Sequence, residues 1–97
     1  MTNLKKDIYL KLMEEIILFS GEGCPACDEV KKHLKNPSRI KIVDVTKDED
    51  YARLAFENDI LAIPTVAIKT SDGIKKCELK FEGNTVKAKC GNKEIIL

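Results

Sequence analysis

Two cysteines separated by two residues, Cys24 and Cys27, are the residues of this chain best suited to chemistry. They follow an apolar run and a short loop with two glycines, and they open a stretch with helical periodicity. At a helix N-terminus the free backbone N–H groups and the helix dipole stabilise a thiolate, which lowers the cysteine pKa. The spacing also allows the second sulfur to close a disulfide with the first. The pair is therefore predicted to be a redox couple.

The two cysteines are predicted to have different roles. Cys24, at the N-cap, is expected to be the exposed thiolate that attacks a substrate disulfide and forms a mixed disulfide. Cys27, one turn further into the helix and more buried, then resolves that intermediate and releases reduced substrate. Pro25 at the first helical position costs no backbone hydrogen bond and suits the start of a helix.

Three acidic residues, Glu22, Asp28 and Glu29, crowd the cysteine pair in the sequence. Their charge opposes the helix dipole, so the thiolate is expected to be less stabilised. A less stable thiolate makes a less oxidising couple, which predicts a reductant rather than an oxidant. His33 lies six residues after Cys27, not on the same face one turn away, and is interpreted as a solvated surface residue.

Length and composition predict one domain spanning residues 1–97. Lysine plus arginine total 17 against 16 aspartate plus glutamate, for a net charge of +1, which argues against a nucleic-acid binder. No apolar run approaches the about 20 residues that span a bilayer, so no membrane partner is expected. Residues 1–15 are too charged for a signal peptide, which predicts a cytoplasmic location. No pattern calls for a bound cofactor or a dedicated metal site.

Apolar periodicity predicts alternating helices and strands over the first two thirds of the chain. The predicted order is a helix over 3–13, a buried strand over 15–20, a helix over 28–35, a strand over 39–46, a helix over 48–59 and a strand over 65–69. In the helix over 48–59, Tyr51 and Phe56 are interpreted as packing residues. Strands that alternate with helices predict an α/β sheet with parallel pairs and helices on its faces.

The last third predicts a β-hairpin, because segments 74–82 and 85–90 alternate in polarity around a Gly83-Asn84 turn. In that register Phe81 faces Val86, Leu79 faces Ala88 and Cys77 faces Cys90, all on one apolar face. The cysteines fall at a non-hydrogen-bonded pair, where side chains approach closest. They form either a second, cross-strand disulfide or two inward cysteines packed as small hydrophobes.

Two motifs together resemble the thioredoxin superfamily, which includes the glutaredoxins. One is Cys24-Pro25-Ala26-Cys27 between a strand and a helix, and the other is Ile63-Pro64-Thr65 after the next helix, entering a strand. The resemblance covers roughly residues 16–79. It implies a thioredoxin-like fold, with a central mixed sheet flanked by helices, in which the hairpin and the tail 93–97 replace the usual last helix.

The resemblance also implies where a substrate would bind. Pro64 would have a cis peptide bond and lie beside the redox cysteines, and the backbone of Ile63 would pair with an extended substrate segment like an added strand. The implied substrate-binding residues are Pro25, Ala26, Ile63, Pro64 and Thr65.

Departures from the family's patterns bear on the sub-family. Gly23 precedes the first cysteine, where thioredoxins usually carry a tryptophan, and Leu18 stands where they carry a buried aspartate. Proton transfer at the buried cysteine must therefore use another group or water. The Pro-Tyr spacer and the Gly-Gly pair with which glutaredoxins help to hold glutathione are both missing.

The function that the resemblance implies is a thiol-disulfide oxidoreductase acting on disulfide-containing proteins, as a monomer or weak dimer. Its electron donor would be an upstream reductase, or glutathione despite the missing features. The alternative is a binding module on the same fold, holding a protein or zinc with little turnover. Cys24 and Cys27 could then form a structural disulfide, or half of a zinc site completed by Cys77 and Cys90.

Overall fold

The structure of the chain is a computed structural model that describes residues 14–97. The helix predicted over 3–13 lies outside the described residues. In chain order the elements are β1 (Glu15–Ser20), α1 (Pro25–Lys32), a 3-10 turn (Pro37–Arg39), β2 (Ile40–Asp44), α2 (Glu49–Glu57), β3 (Thr65–Thr70), β4 (Gly73–Glu82), β5 (Thr85–Cys90) and β6 (Lys93–Ile96). Neither α1 nor α2 is long and apolar enough to cross a membrane. The predicted α/β class is confirmed for this part of the chain.

All six described strands join one mixed sheet in the order β2-β1-β3-β4-β5-β6. Only β1 and β2 are parallel, and α1 connects them, as a parallel pair requires. Every other neighbouring pair is antiparallel. The predicted mixed sheet is confirmed, but among the described strands the predicted parallel pairs amount to one. After β3 the chain continues through short turns, and such connections force antiparallel neighbours.

Two hydrophobic clusters cover the two faces of this sheet. Val30 of α1 packs on one face, and Ala55 of α2 packs on the other. The strand residues of the first cluster include Leu18, Ile40, Val66, Cys77, Val86, Ala88 and Cys90, and those of the second include Ile17, Phe19, Val43 and Ala67. Because β1 contributes to both clusters, its apolar residues run continuously, as predicted for a buried strand.

Helix α1 ends at Lys32, three residues before the predicted end at residue 35. The amide of His33 closes the last turn on the carbonyl oxygens of Glu29 and Val30, at 3.3 and 3.2 Å. The next free amides, those of Lys35 and Asn36, donate to the carbonyl oxygen of Leu97 at 2.9 and 2.7 Å. A partner distant in sequence therefore competes with the helix for these donors and ends it early.

Two further predicted elements are shorter than their patterns. A carboxylate that accepts local hydrogen bonds sets the end of β2 and the start of α2. Strand β2 stops at Asp44, whose carboxylate accepts the Thr46 amide at 2.8 Å and the Thr46 hydroxyl. Helix α2 begins at Glu49, since the carboxylate of Asp48 caps it by accepting the amides of Asp50 and Tyr51, at 3.1 and 3.3 Å. The helix ends at Glu57 rather than at residue 59.

The β4–β5 hairpin has the predicted register. Phe81 lies opposite Val86 and Leu79 opposite Ala88. Gly83 has a φ of 62°, which a two-residue II′ turn needs at its first central position. Cys77 and Cys90 form a disulfide with their Cα atoms 4.4 Å apart, so the cross-strand pairing is confirmed and the alternative of two unpaired cysteines is wrong.

The tail, for which no element was predicted, forms β6, which pairs with β5. The amide of Leu97 donates to the carbonyl oxygen of Val86 at 2.9 Å, and its side chain is 1% exposed within the first cluster. Together with the Lys35 and Asn36 bonds, these contacts tie the end of β6 to the loop after α1. Among the described residues no helix follows α2, and β4, β5 and β6 fill that part of the fold.

Leu97→Ala is expected to lower the free energy of unfolding by about 2 to 4 kcal/mol, because it leaves a cavity beneath α1. Ile96→Ala is the matched control, since Ile96 is 52% exposed on the opposite face of the same strand. The control should stay within about 0.5 kcal/mol of the parent. Urea unfolding measures both variants, and equal losses would contradict the packing role given to Leu97.

Candidate functional site

The cysteine pair lies at the N-terminus of α1, as predicted. Cys24 is the N-cap, with extended backbone, and Pro25 takes the first helical position. The Sγ atom of Cys24 accepts a hydrogen bond from the Cys27 amide at 3.1 Å. The two residues form a disulfide with their Cα atoms 5.2 Å apart. The Cys27 amide, a backbone donor that would stabilise a Cys24 thiolate, is therefore aimed at its sulfur.

The two sulfurs differ in their access to solvent. Cys24 is partly buried, whereas Cys27, in the first turn of α1, is 0% exposed. Pro25 and Ala26, which separate them, are both exposed. An external thiol or disulfide can approach Cys24 but not Cys27. This asymmetry matches the predicted division between an attacking and a resolving cysteine.

The loop from Ile63 to Thr65 faces the cysteine pair. The carbonyl oxygen of Ile63 lies 4.0 Å from the Sγ atom of Cys24, and the Ile63-Pro64 peptide is cis, as predicted. Phe19 lies opposite Thr65 in the antiparallel β1–β3 ladder. The loop that follows β1 and the loop that precedes β3 must therefore meet at one end of the sheet.

The backbone of Ile63 is open for pairing. Among the described residues, neither its amide nor its carbonyl oxygen forms a hydrogen bond to another backbone group. The loop is held instead through its flanks, because the Thr65 hydroxyl donates to the carbonyl oxygen of Ala62 at 2.6 Å. A free peptide group beside a reactive sulfur suits an extended ligand segment.

Gly21 is a site residue that the sequence did not reveal. It is buried, and a Cβ atom added to it would lie 2.6 Å from the Ile63 Cδ1 atom and 2.9 Å from the Thr46 Cγ2 atom. Only glycine therefore lets the Ile63 loop pack this closely against the loop before Cys24. The sequence signal was a glycine shortly before the cysteine pair, but nothing in it specified which side chain would close over that glycine.

Thr46 supports the loop before the cysteine pair from the β2 side. Its hydroxyl oxygen accepts the Glu22 amide at 3.4 Å, while its hydroxyl and amide protons go to the Asp44 carboxylate. The hydrogen bonds from Thr46 hold the pKa of Asp44 below its ordinary value. Asp44 therefore stays charged at neutral pH and keeps this turn in place.

Each of the three acidic residues near the cysteines has a basic neighbour. Glu22 lies 3.8 Å from Lys47, and Asp28 lies 3.8 Å from Lys31. Glu29 lies 3.4 Å from the Nε2 atom of His33, which is partly buried rather than fully solvated as predicted. Exposed pairs of this kind are weak and screened by salt. The negative field on Cys24 is therefore smaller than the sequence alone suggested.

An apolar groove continues from Ile63 along α2. It is lined by Val45, Ala52, Ala55, Phe56, Ile60, Leu61, Ala62 and Ile63. Phe56 and Leu61 are 73% and 76% exposed, so the interpretation of Phe56 as a packing residue is wrong. Phe56 lies at the rim because it follows the buried Ala55 by one residue, which in a helix turns its side chain about 100° away from the sheet. Two large apolar side chains at one rim form a surface that a partner could cover.

Cys77 and Cys90 do not join the first pair. They are bonded to each other across the hairpin, and within residues 14–97 no group of three or more His, Cys, Asp or Glu side chains lies close enough to hold a metal ion. In this structure the four cysteines therefore do not form the four-ligand zinc site that their number allowed.

No protein-family model, curated protein or solved structure matches the chain. Its function is therefore inferred from the chemistry and geometry of this site.

Gly21→Ala is expected to lower the free energy of unfolding by about 1 to 3 kcal/mol, because the new methyl group overlaps Ile63 and Thr46. Adding Ile63→Val, which removes the overlapping Cδ1 atom, should recover part of that loss. Chemical denaturation of the parent, both single variants and the double variant gives the coupling between the two sites. Strictly additive losses would mean that Gly21 and Ile63 do not contact one another.

Proposed function

We propose that this protein is a thioredoxin-like thiol-disulfide oxidoreductase that reduces disulfides in protein substrates through Cys24 and Cys27. The observation that carries the proposal is the placement of Cys24. It caps α1, receives the Cys27 amide on its sulfur and remains partly accessible, with the Ile63 carbonyl 4.0 Å away. The order of strands β2-β1-β3-β4 and the position of the Ile63 loop beside Cys24 support the resemblance to the thioredoxin superfamily.

The reaction begins from the reduced pair. The Cys24 thiolate attacks one sulfur of the substrate disulfide, a Cys24–substrate bond forms, and the other substrate sulfur leaves as a thiolate that takes up a proton. Cys27 then loses its proton and attacks the Cys24 sulfur. The remaining substrate thiolate leaves and is protonated. In total the substrate gains two electrons and two protons, and Cys24 and Cys27 become a disulfide.

The N-terminus of α1 favours the first step. The N–H groups of its first turn point towards Cys24, and the Asp28 amide already donates to the Cys24 carbonyl oxygen at 3.1 Å, which fixes the cap. A thiolate at this position is stabilised relative to an unstructured cysteine, so more of it is present at neutral pH. Deprotonation of Cys27 needs water or another group, because Leu18 occupies the place of the family's buried aspartate and is itself fully buried.

The Ile63 loop would orient the substrate. An extended segment that pairs with the free Ile63 backbone lies alongside Cys24, which brings a cysteine in that segment to the attacking sulfur. The apolar groove beyond Ile63 can then take a hydrophobic side chain of the same segment. Backbone pairing accepts many sequences, while the groove prefers apolar neighbours of the target cysteine.

The proposed direction of the reaction is reduction. Glu22, Asp28 and Glu29 still place acidic groups around the helix start, although each has a basic neighbour. Reopening the Cys24–Cys27 disulfide takes two electrons, which an upstream reductase or two glutathione molecules would supply.

A binding module with little turnover is the second candidate, and the exposed groove at Phe56 and Leu61 favours it. In that case the Cys24–Cys27 disulfide would be structural and the groove would carry the function. The two candidates differ in whether binding survives loss of the Cys24 sulfur.

Cys24→Ser is expected to abolish the protein's acceleration of insulin reduction by dithiothreitol over the uncatalysed rate, because the attacking thiolate is lost. Cys27→Ser, mixed with insulin in the absence of dithiothreitol, should accumulate the mixed disulfide, since the variant lacks the thiol that resolves it. The control is Cys77→Ala/Cys90→Ala, which removes the other disulfide and should keep turnover. Insulin precipitation reports turnover, and mass spectrometry reports the trapped adduct. Equal activity of Cys24→Ser and the parent would contradict the proposal.

Leu61→Ser is expected to lower kcat/KM on a protein disulfide by about five- to tenfold, which corresponds to the loss of part of one buried leucine side chain. Turnover of a small aromatic disulfide should not change, because such a substrate does not reach the groove. Phe81→Ser is the matched control, since Phe81 is also exposed but lies on the β4–β5 hairpin. A similar loss on both substrates would show that Leu61 acts on the cysteines rather than on the protein substrate.

A further inference from the structure

The second disulfide, between Cys77 and Cys90, lies at the margin of the core. It joins β4 to β5 on the sheet face that α1 also covers, and both half-cystines are nearly buried. Of the two, Cys90 also lines a surface cavity, together with Lys75, Lys93 and residues of the β3–β4 turn. This disulfide therefore has one side turned to the core and one side turned to solvent.

The sheet determines which sulfur a nucleophile can reach. Disulfide exchange needs approach to one sulfur along the line of the breaking bond, from the side opposite the other sulfur. For the Cys77 sulfur, the side opposite Cys90 is occupied by β3, where Val66, the register partner of Cys77, is 0% exposed. For the Cys90 sulfur, the side opposite Cys77 faces the outer strand β6, where the register partner of Cys90 is the exposed Lys93. Cys77 and Cys90 are themselves similarly buried, at 9% and 7% exposed, so the difference lies in the line of approach, which is open towards β6 for the Cys90 sulfur and filled by β3 for the Cys77 sulfur.

Two lysines provide positive charge on the open side. Lys93 lies directly opposite Cys90, and the Lys75 Nζ atom is 2.8 Å from the place that a Cβ atom on Gly91, the next residue, would take. The acidic members of the cavity wall, Glu14 and Asp72, come from the start of β1 and from the β3–β4 turn. The lysines next to Cys90 attract an incoming thiolate and favour the thiolates that exchange produces.

We propose that Cys77 and Cys90 form a second thiol–disulfide site, separate from Cys24 and Cys27, which reacts with dithiols through Cys90 while the protein stays folded. One thiolate of the dithiol attacks the Cys90 sulfur, the Cys77–Cys90 bond breaks, and Cys77 leaves as a thiolate that is then protonated. The second thiolate of the dithiol then attacks the dithiol sulfur that is bonded to Cys90. The bond between that sulfur and Cys90 breaks, and Cys90 leaves as a thiolate that is protonated. The dithiol is oxidised by two electrons, and the tie between β4 and β5 opens.

The first test uses Cys24→Ser/Cys27→Ser, in which Cys77–Cys90 is the remaining disulfide. Its reduction by dithiothreitol in native buffer is followed by quenched alkylation and mass spectrometry, beside the unfolding rate of the same variant. The proposal expects a rate that rises in proportion to dithiothreitol and exceeds the unfolding rate. A rate that levels off at the unfolding rate would overturn it, because reduction would then require global unfolding.

The second test locates the attack in the same Cys24→Ser/Cys27→Ser variant. Brief exposure to glutathione and acid quenching should give an adduct on Cys90, and an adduct on Cys77 would overturn the proposal. Adding Lys93→Gln should slow the dithiothreitol reaction about threefold to fivefold by removing one nearby charge. Lys89→Gln is the matched control, since Lys89 lies in β5 beside Cys90 but on the opposite face, and it should leave the rate unchanged. If both substitutions slowed the dithiothreitol reaction equally, the role given to the cavity lysine Lys93 would be overturned.

Discussion

Strand β1 pairs with β2 on one side and with β3 on the other, and Ile17, Leu18 and Phe19 within it are fully buried. The parallel pairing with β2 requires a crossover, and α1 provides it. The antiparallel pairing with β3 brings the Ile63 loop to the same end of the sheet. The N-terminus of α1 and the free backbone of Ile63 therefore meet because of how one buried strand is paired. The chemistry of Cys24 depends on that meeting.

The elements that could be predicted are those whose signals are local. The N-cap position of Cys24 follows from the loop, the proline and the helical periodicity after it. The β4–β5 register follows from strict alternation around Gly83-Asn84, since a slip of one residue would turn every apolar side chain outward. The same alternation is enough to place Cys77 opposite Cys90.

The elements that could not be predicted depend on contacts between distant parts of the chain. Helix α1 ends early because Lys35 and Asn36 bond to Leu97, and β6 forms because β5 offers it an edge. The role of Gly21 depends on Ile63 and Thr46, which come from two other loops. The charge around the site differs from the prediction for the same reason, since Lys47, the neighbour of Glu22, lies beyond β2. Periodicity within one segment carries no information on such partners.

We propose that the start of α1 makes Cys24, and not Cys27, the reactive thiolate. The most direct measurement is the pH dependence of iodoacetamide alkylation in the reduced Cys77→Ala/Cys90→Ala variant, with each remaining cysteine followed by mass spectrometry. We predict that Cys24 reacts first and titrates below the ordinary cysteine pKa of about 8.5, while Cys27 stays protected. Equal reactivity of the two cysteines, with both titrating near the ordinary value, would contradict it.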